Sequence, residues 1–322
     1  MNALIERFRR IETERYAAFA ALAILFVVSS FLSPYFLQVQ NLLNILRQVS
    51  YTGLIALGMT FVITSGGIDL SVGSMAAFVG SLAVLALNAL VEGGAPQEAA
   101  VLGSVAVAVC AGLACGFANG ILITKGKIAP FIVTLGTMAI FRSISLYMAN
   151  AGEFRSQSSL FGDLGSAVPF GVPLPALVLL FIAAVLSFVL KRMRYGRYVR
   201  AVGSNARVAR YSAIDVDKTK LIAYVLNGLM VGVSAVLISM RFNSVGSSTL
   251  GVNYEMDAIA AVIIGGTAMV GGRGTVWGTI IGAITLGVIN NMLNMVGISP
   301  YLQGAVKGLV IVGAVFIQRQ KQ

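Results

Sequence analysis

Asp69 is the only acidic residue between the N-terminal segment and Glu92, and it falls in TSGGIDLSVG, residues 64–73. An ionisable side chain inside an apolar stretch is a candidate for handling solute or ions, because its burial costs free energy that a purely structural group avoids. Gly66 and Gly67 favour a helix break just before it, and Asp69 or Ser71 can cap the helix that resumes. The capping and functional readings stand side by side. So do two placements of the break, as a cytoplasmic turn or as a re-entrant one lining a cavity at membrane depth.

Amides supply the next pattern. Asn41, Asn44 and Gln48 follow helical spacing, as do Asn290, Asn291 and Asn294. With Thr64, Ser65, Ser71 and Ser74 they form a neutral polar lining suited to an uncharged, hydroxyl-rich solute. Amides also hydrogen-bond between membrane helices, so each is equally a packing residue. The candidate path therefore comprises Asn44, Gln48, Thr64, Ser65, Asp69, Ser71, Asn290 and Asn294. Arg47, Arg142 and Lys307 each lie one to two turns inside a predicted span. From there they either snorkel to the interface or ring a vestibule together with Glu255 and Asp257.

Covalent and hydrolytic chemistry finds no support. The chain has no His, which removes Ser-His and Cys-His arrangements and the usual zinc sets. Cys110 and Cys115 sit five apart in one apolar run, on different helix faces. The glycine-rich GGRGT at 271–275 lacks the lysine of a phosphate loop, so no nucleotide-hydrolysing site, cofactor or metal is expected in this chain.

The elements that must position these groups are membrane helices. Hydrophobic residues make up 57% of the chain and charged ones 11%, well outside soluble averages. Apolar runs near 16–33, 42–65, 72–91, 99–123, 128–149, 174–190, 219–240, 256–272, 276–296 and 301–317 predict an all-α polytopic protein of about ten transmembrane helices in a single domain. The first run follows Arg7, Arg9, Arg10 and Arg15 and is long, without a small-residue cleavage site, so an uncleaved span is expected. Both termini are predicted to be cytoplasmic. That orientation puts the N-terminal cations of residues 1–15, Lys125, Lys127, the loop between helices 6 and 7, Arg273, Arg319 and Lys321 inside, and leaves only Arg155 and Arg241 in outer loops. Topology thus accounts for the net charge of +11 without a nucleic-acid partner.

Residues 191–220 carry nine of the 23 Lys and Arg residues. The widely spaced cations from Lys191 to Arg200 suit topology and anionic lipid head groups. Gly203 to Ile214 has the small and capping residues of a short surface helix, the shape of a docking element. Gly66, Gly67 and Gly73 match Gly271, Gly272 and Gly278 at one offset, which suggests a repeat relating spans 2 and 3 to spans 8 and 9 in the same orientation. Gly112, Gly116 and Gly120 form a close-packing ridge, as do Gly274, Gly278 and Gly282.

NLLNILRQ at 41–48, GMTFVITSGGIDLSVGS at 58–74, GSNARVARYSAIDVDKTK at 203–220 and YEMDAIAAVIIGGTAMVGGRGTVWGTIIGA at 254–283 resemble, in order, the permease subunit of ribose-type monosaccharide ABC importers. The resemblance implies a homodimer in a prokaryotic inner membrane. It also implies a cytoplasmic ATPase with two cassettes that holds the ATP and Mg, and an extracytoplasmic sugar-binding protein. By the same likeness, Gly203, Ser204, Asn205, Ala206, Arg207, Ala209, Arg210, Ala213 and Ile214 belong to the coupling helix that enters the ATPase. The chain departs from the family in having Ala206 and Arg207 where acidic residues are common, and Ala213 where glycine is common. An ion-coupled secondary transporter, with Asp69 as its principal ion site, is the alternative.

Overall fold

A computed structural model describes residues 19, 20 and 22–319. The cations at positions 7, 9, 10, 15 and 321 that entered the orientation argument lie outside the described residues. The helices are α1 (Leu22–Leu32), α2 (Val39–Thr64), α3 (Val72–Glu92), α4 (Gln97–Thr124), α5 (Pro130–Met148), α6 (Ser159–Ser166), α7 (Leu174–Arg192), α8 (Arg194–Ser204), α9 (Ala206–Tyr211), α10 (Val216–Phe242), α11 (Tyr254–Ile264), α12 (Val276–Met295) and α13 (Pro300–Arg319). Two three-residue strands, β1 (Glu153–Arg155) and β2 (Ser244–Gly246), pair antiparallel across one end, a small departure from the all-α expectation.

Local chemistry sets the helix starts. Pro130 opens α5, where its missing N–H costs nothing. Asp215 caps α10 by accepting from Lys218 N at 2.9 Å, and Thr275 caps α12 by accepting from Gly278 N at 3.0 Å. Seven helices, α2, α3, α4, α5, α7, α10 and α12, are long and apolar enough to cross a membrane. The chain is therefore an all-helical membrane protein with seven candidate spans and shorter apolar helices beside them.

One predicted span needs correction. The apolar run 256–272 is not one helix: α11 stops at Ile264, and Gly266, Gly271 and Gly272 take φ of 85°, 90° and 79° in an irregular segment before α12. Eleven helical residues rise only about 17 Å, short of a hydrocarbon core of about 30 Å.

α2 is the axis of the bundle, with every residue from Gly53 to Ser65 buried. α10 packs on α2, α3 and α4, and its contact with α4 is the most extensive in the molecule. The predicted ridge makes that contact: Gly112 meets the Gly228 carbonyl and lies against Gly232, while Gly116 meets the Tyr224 carbonyl. On the outside, Phe131 and Ile132 of α5 and Phe181 and Phe188 of α7 are exposed, as lipid-facing side chains are.

The predicted repeat does not describe two like hairpins, because α11 packs directly on α12 whereas α3 is held to α2 through α10. The two glycine breaks nevertheless come together, with Gly271 against the backbone of Gly66 and Gly272 N donating to Thr64 O at 2.9 Å.

Candidate functional site

The first glycine break runs from the surface into the interior, with Gly66 exposed, Gly67 and Ile68 half-buried and Asp69 buried. Ser65, Asp69 and Ser71 are buried, Gly66 turns at φ 79°, and Gly66 N and Gly67 N donate to the Ile63 and Val62 carbonyls. Asp69, fully buried, accepts at Oδ1 from Ser71 N at 2.9 Å and Ser71 Oγ at 2.6 Å, and at Oδ2 from Asn227 Nδ2 at 3.0 Å. Asn119 Nδ2 donates to Ser71 Oγ at 2.9 Å, and Tyr224 Oη donates to Ile68 O at 3.0 Å. Asn227 is well inside α10, about 17 Å from its start. The start of α3 and the interiors of α4 and α10 thus converge on one carboxylate, which ties the resumed chain to the bundle. Asn227 and, through Ser71, Asn119 were not anticipated as its partners, nor Tyr224 as the donor to the neighbouring Ile68 carbonyl. Their signal was a single polar residue in an otherwise apolar run.

The other predicted path residues scatter. Thr64 and Ser65 return their hydroxyls to their own helix, donating to Thr60 O at 2.5 Å and Val62 O at 2.8 Å. Asn44 and Gln48 are exposed, with Asn44 Oδ1 accepting from Arg47 Nη1 at 3.0 Å. Asn290 is buried, and Asn294 Oδ1 accepts from Gln303 Nε2 at 2.7 Å. Asn41 and Asn291 exchange amide hydrogen bonds at 3.1 and 2.7 Å, joining α2 to α12. These amides pack helices together.

The charged residues do more than snorkel. Arg142 Nη1 donates to Ser247 O at 2.7 Å. Lys307 Nζ pairs with Asp257 Oδ2 at 3.0 Å, and both side chains are largely withdrawn from solvent, 14% and 9% exposed. Removing one member strands the other charge. Lys307→Ala is expected to lower stability by about 3–5 kcal/mol, with Lys307→Ala/Asp257→Ala recovering most of it, as read by thermal unfolding in detergent.

The basic loop folds into two helices and not one. Lys191 and Arg192 are exposed in the last turn of α7, and α8 carries Arg194 and Arg197 outward while Gly196, Val199 and Val202 turn inward. Asn205 ends it and caps α9, its Oδ1 accepting from Arg207 N at 3.0 Å and Val208 N at 3.1 Å. α9 closes at Tyr211, so the expected helix through Ile214 is three residues too long. Ala213 there takes φ 59°, a conformation glycine adopts without strain. Ala209 faces inward onto Val202 and Val216, and the exposed groups are Arg207, Val208, Arg210 and Tyr211. Val208 and Tyr211 were absent from the sequence-based set. Ala206, Arg207, Arg210 and Tyr211 line a cavity of about 340 Å³.

α8 is fixed to the bundle at both ends. Tyr195 stacks on Phe61 of α2 with ring centroids 6.1 Å apart, and its hydroxyl donates to Thr219 O at 3.2 Å. Burial pushes that phenol above the ordinary tyrosine range, so it remains a donor. At the other end, Gly203 presses on the carbonyl of Thr64 and the amide of Gly272. One residue of the basic loop therefore touches both glycine breaks.

Long apolar helices, two glycine breaks and a basic surface hairpin define a polytopic membrane protein. The family model for "branched-chain amino acid transport system / permease component" matches residues 41–315, and the chain belongs to that family. It is similar to the ribose import permease protein of Bacillus subtilis strain 168, 41% identical over 96% of this chain and 94% of that one. The ribose import permease protein of Escherichia coli K12 is 39% identical over 94% and 92%. The D-allose transport system permease protein of the same strain is 38% identical over 95% and 92%. Membership makes this chain a permease subunit and not itself an enzyme, and sets aside the ion-coupled alternative.

Proposed function

We propose that the chain is the membrane subunit of an ATP-driven importer of a single monosaccharide, ribose or a close relative, in a prokaryotic inner membrane. The observation that carries this is similarity over nearly the whole chain to permeases named for ribose and D-allose import. The sugar-binding protein and the ATPase that such a permease works with are expected partners, and two copies of this chain form the channel-bearing dimer. Ten crossings with both termini inside are proposed, in which α1 and α13 join the seven long helices and α11 with the segment 265–275 makes one interrupted crossing. Expression in a bacterium lacking its own ribose permease, alongside the cognate ATPase and binding protein, tests the reading by uptake of labelled D-ribose. No uptake of any pentose or hexose would refute it.

α9 is the docking element. Its six residues offer an aromatic anchor, Tyr211, which is 84% exposed, with Arg207 and Arg210 beside it. Exposed Tyr and Arg are the residue types that concentrate binding energy at interfaces. ATP-driven closure of the cassettes displaces α9, α8 transmits the shift, and Gly203 and Tyr195 deliver it to α2 and to the second glycine segment. Tyr211→Ala is expected to lower coupled uptake by about tenfold, the loss of about 1.4 kcal/mol of docking, with the purified permease still folded. Ala209→Glu, by contrast, places a charge among Val202 and Val216 and should unfold the hairpin, which limited proteolysis of the loop reports.

A further inference from the structure

The first turn of α3, the middle of α5 and the approach to α11 line an open cleft of about 300 Å³ that takes Ser74 from the predicted polar lining and Arg142 and Glu255 from the predicted vestibule. Its polar lining includes Ser74, Arg142, Asn253 and Glu255. Arg142 and Glu255 share this wall and attract one another, yet they are not an ion pair: among the described residues the pairs are Lys127 with Asp217, Arg155 with Glu153 and Lys307 with Asp257. Arg142 commits one donor to Ser247 O and keeps its remaining donors. Between the two charges is a gap with donors on one side and acceptors on the other.

The backbone around the gap is held in demanding conformations. Gly251 takes φ 76°, Asn253, a residue with a side chain, takes φ 66°, and Gly73 packs so closely on Gly251 and the Glu255 carboxylate that no Cβ fits there. Left-handed non-glycine residues concentrate at ligand clamps. The volume is at the low end for small-molecule sites and matches one sugar ring better than two. One cation and one anion leave the wall without net charge, which favours a neutral ligand over a sugar phosphate. A vicinal diol meets the demand, with one hydroxyl donating to Glu255 and its neighbour accepting from Arg142. Ser74 sits one turn beyond Ser71, so the cavity adjoins the Asp69 cluster.

From these features we propose that this cavity is a transit subsite for one neutral monosaccharide, held across Arg142 and Glu255 by adjacent hydroxyls. The proposal rests on the sugar-import reading and assigns that reading a place in the chain.

The test uses the complete importer in proteoliposomes, with D-ribose and 2-deoxy-D-ribose as probes and binding-protein-stimulated ATP hydrolysis measured in parallel. Glu255→Gln and Arg142→Gln should each reduce D-ribose uptake by about tenfold, as loss of one charge-assisted hydrogen bond does, and should narrow the difference between the two sugars. Stimulated ATP hydrolysis should stay within about twofold of the parent, because no docking surface has changed. Undiminished D-ribose uptake by both variants overturns the subsite and leaves sugar import standing. So does a parallel fall of uptake and hydrolysis, which marks a structural role. Failure of the unaltered importer to take up any monosaccharide overturns sugar import itself and the subsite with it.

Discussion

Gly203→Ala is expected to abolish transport while leaving the permease in the membrane. A Cβ at this position would fall on the Thr64 carbonyl oxygen and 2.6 Å from Gly272 N. Both neighbours are backbone, so neither can rotate away as a side chain could. Relief requires the end of α8 to lift off both glycine breaks. Overpacking of this kind costs about 1–3 kcal/mol, occasionally more, and about 1.4 kcal/mol is a factor of ten in any equilibrium. A hundredfold shift from seated to lifted loop is therefore expected from about 2.8 kcal/mol. Uptake should fall on that scale and ATP hydrolysis should lose its response to the binding protein. Gly136→Ala on α5, where nothing lies within 4 Å of an added Cβ, is the control and should transport normally. Normal uptake by Gly203→Ala would exclude this contact from coupling.

Asp69 gives the second large effect, and its direction depends on the replacement. Asp69→Ala removes the acceptor for Ser71 N, Ser71 Oγ and Asn227 Nδ2 at once, in a fully buried place. Each buried donor left unpaired costs about 1–3 kcal/mol, so a loss of several kcal/mol and very little assembled protein are expected. Asp69→Asn keeps the acceptor for Ser71. Its new NH2 faces Asn227, whose Oδ1 has no partner in the parent, and a flip of that amide supplies the acceptor. Asp69→Asn should then accumulate and transport within about threefold of the parent. Uptake assays with membrane protein levels separate the two variants. A folded but transport-dead Asp69→Asn would instead assign the negative charge a direct part in translocation.

The sequence reading was most successful where one rule acted alone. Eight of the ten predicted apolar runs meet helices with both ends close to the expected boundaries, and the first meets α1 at its C-terminal end, because an apolar run of membrane length leaves the backbone only its own hydrogen bonds. The failure at 256–272 has a clear cause: hydropathy is blind to φ, and Gly266, Gly271 and Gly272 break the helix inside an apolar composition. Asp69 was legible as special because a lone carboxylate in an apolar stretch must be accommodated. Its partners were not, since Asn119 and Asn227 come from helices whose arrangement no local pattern encodes. The α8 and α9 hairpin shows the same limit. Capping by Asn205 could be read from residue type, but the inward turn of Ala209 and outward turn of Tyr211 depend on what α9 packs against.

The seam between α4 and α10 constrains how such a molecule can work at all. Where Gly112 and Gly116 lie on Gly228 and Tyr224, main chain rests on main chain, and there is no layer of side chains to act as a bearing. Sliding by even one residue would drive methyl groups into carbonyl oxygens. α4 and α10 are accordingly one rigid girder, and because the girder also holds Asp69 through Asn227, the first glycine break is bolted to it. The degrees of freedom available for opening and closing must then come from the parts that meet the girder through compliant side chains. Chief among these is the α8 and α9 hairpin, which rests on the bundle where the ring of Tyr195 stacks on that of Phe61.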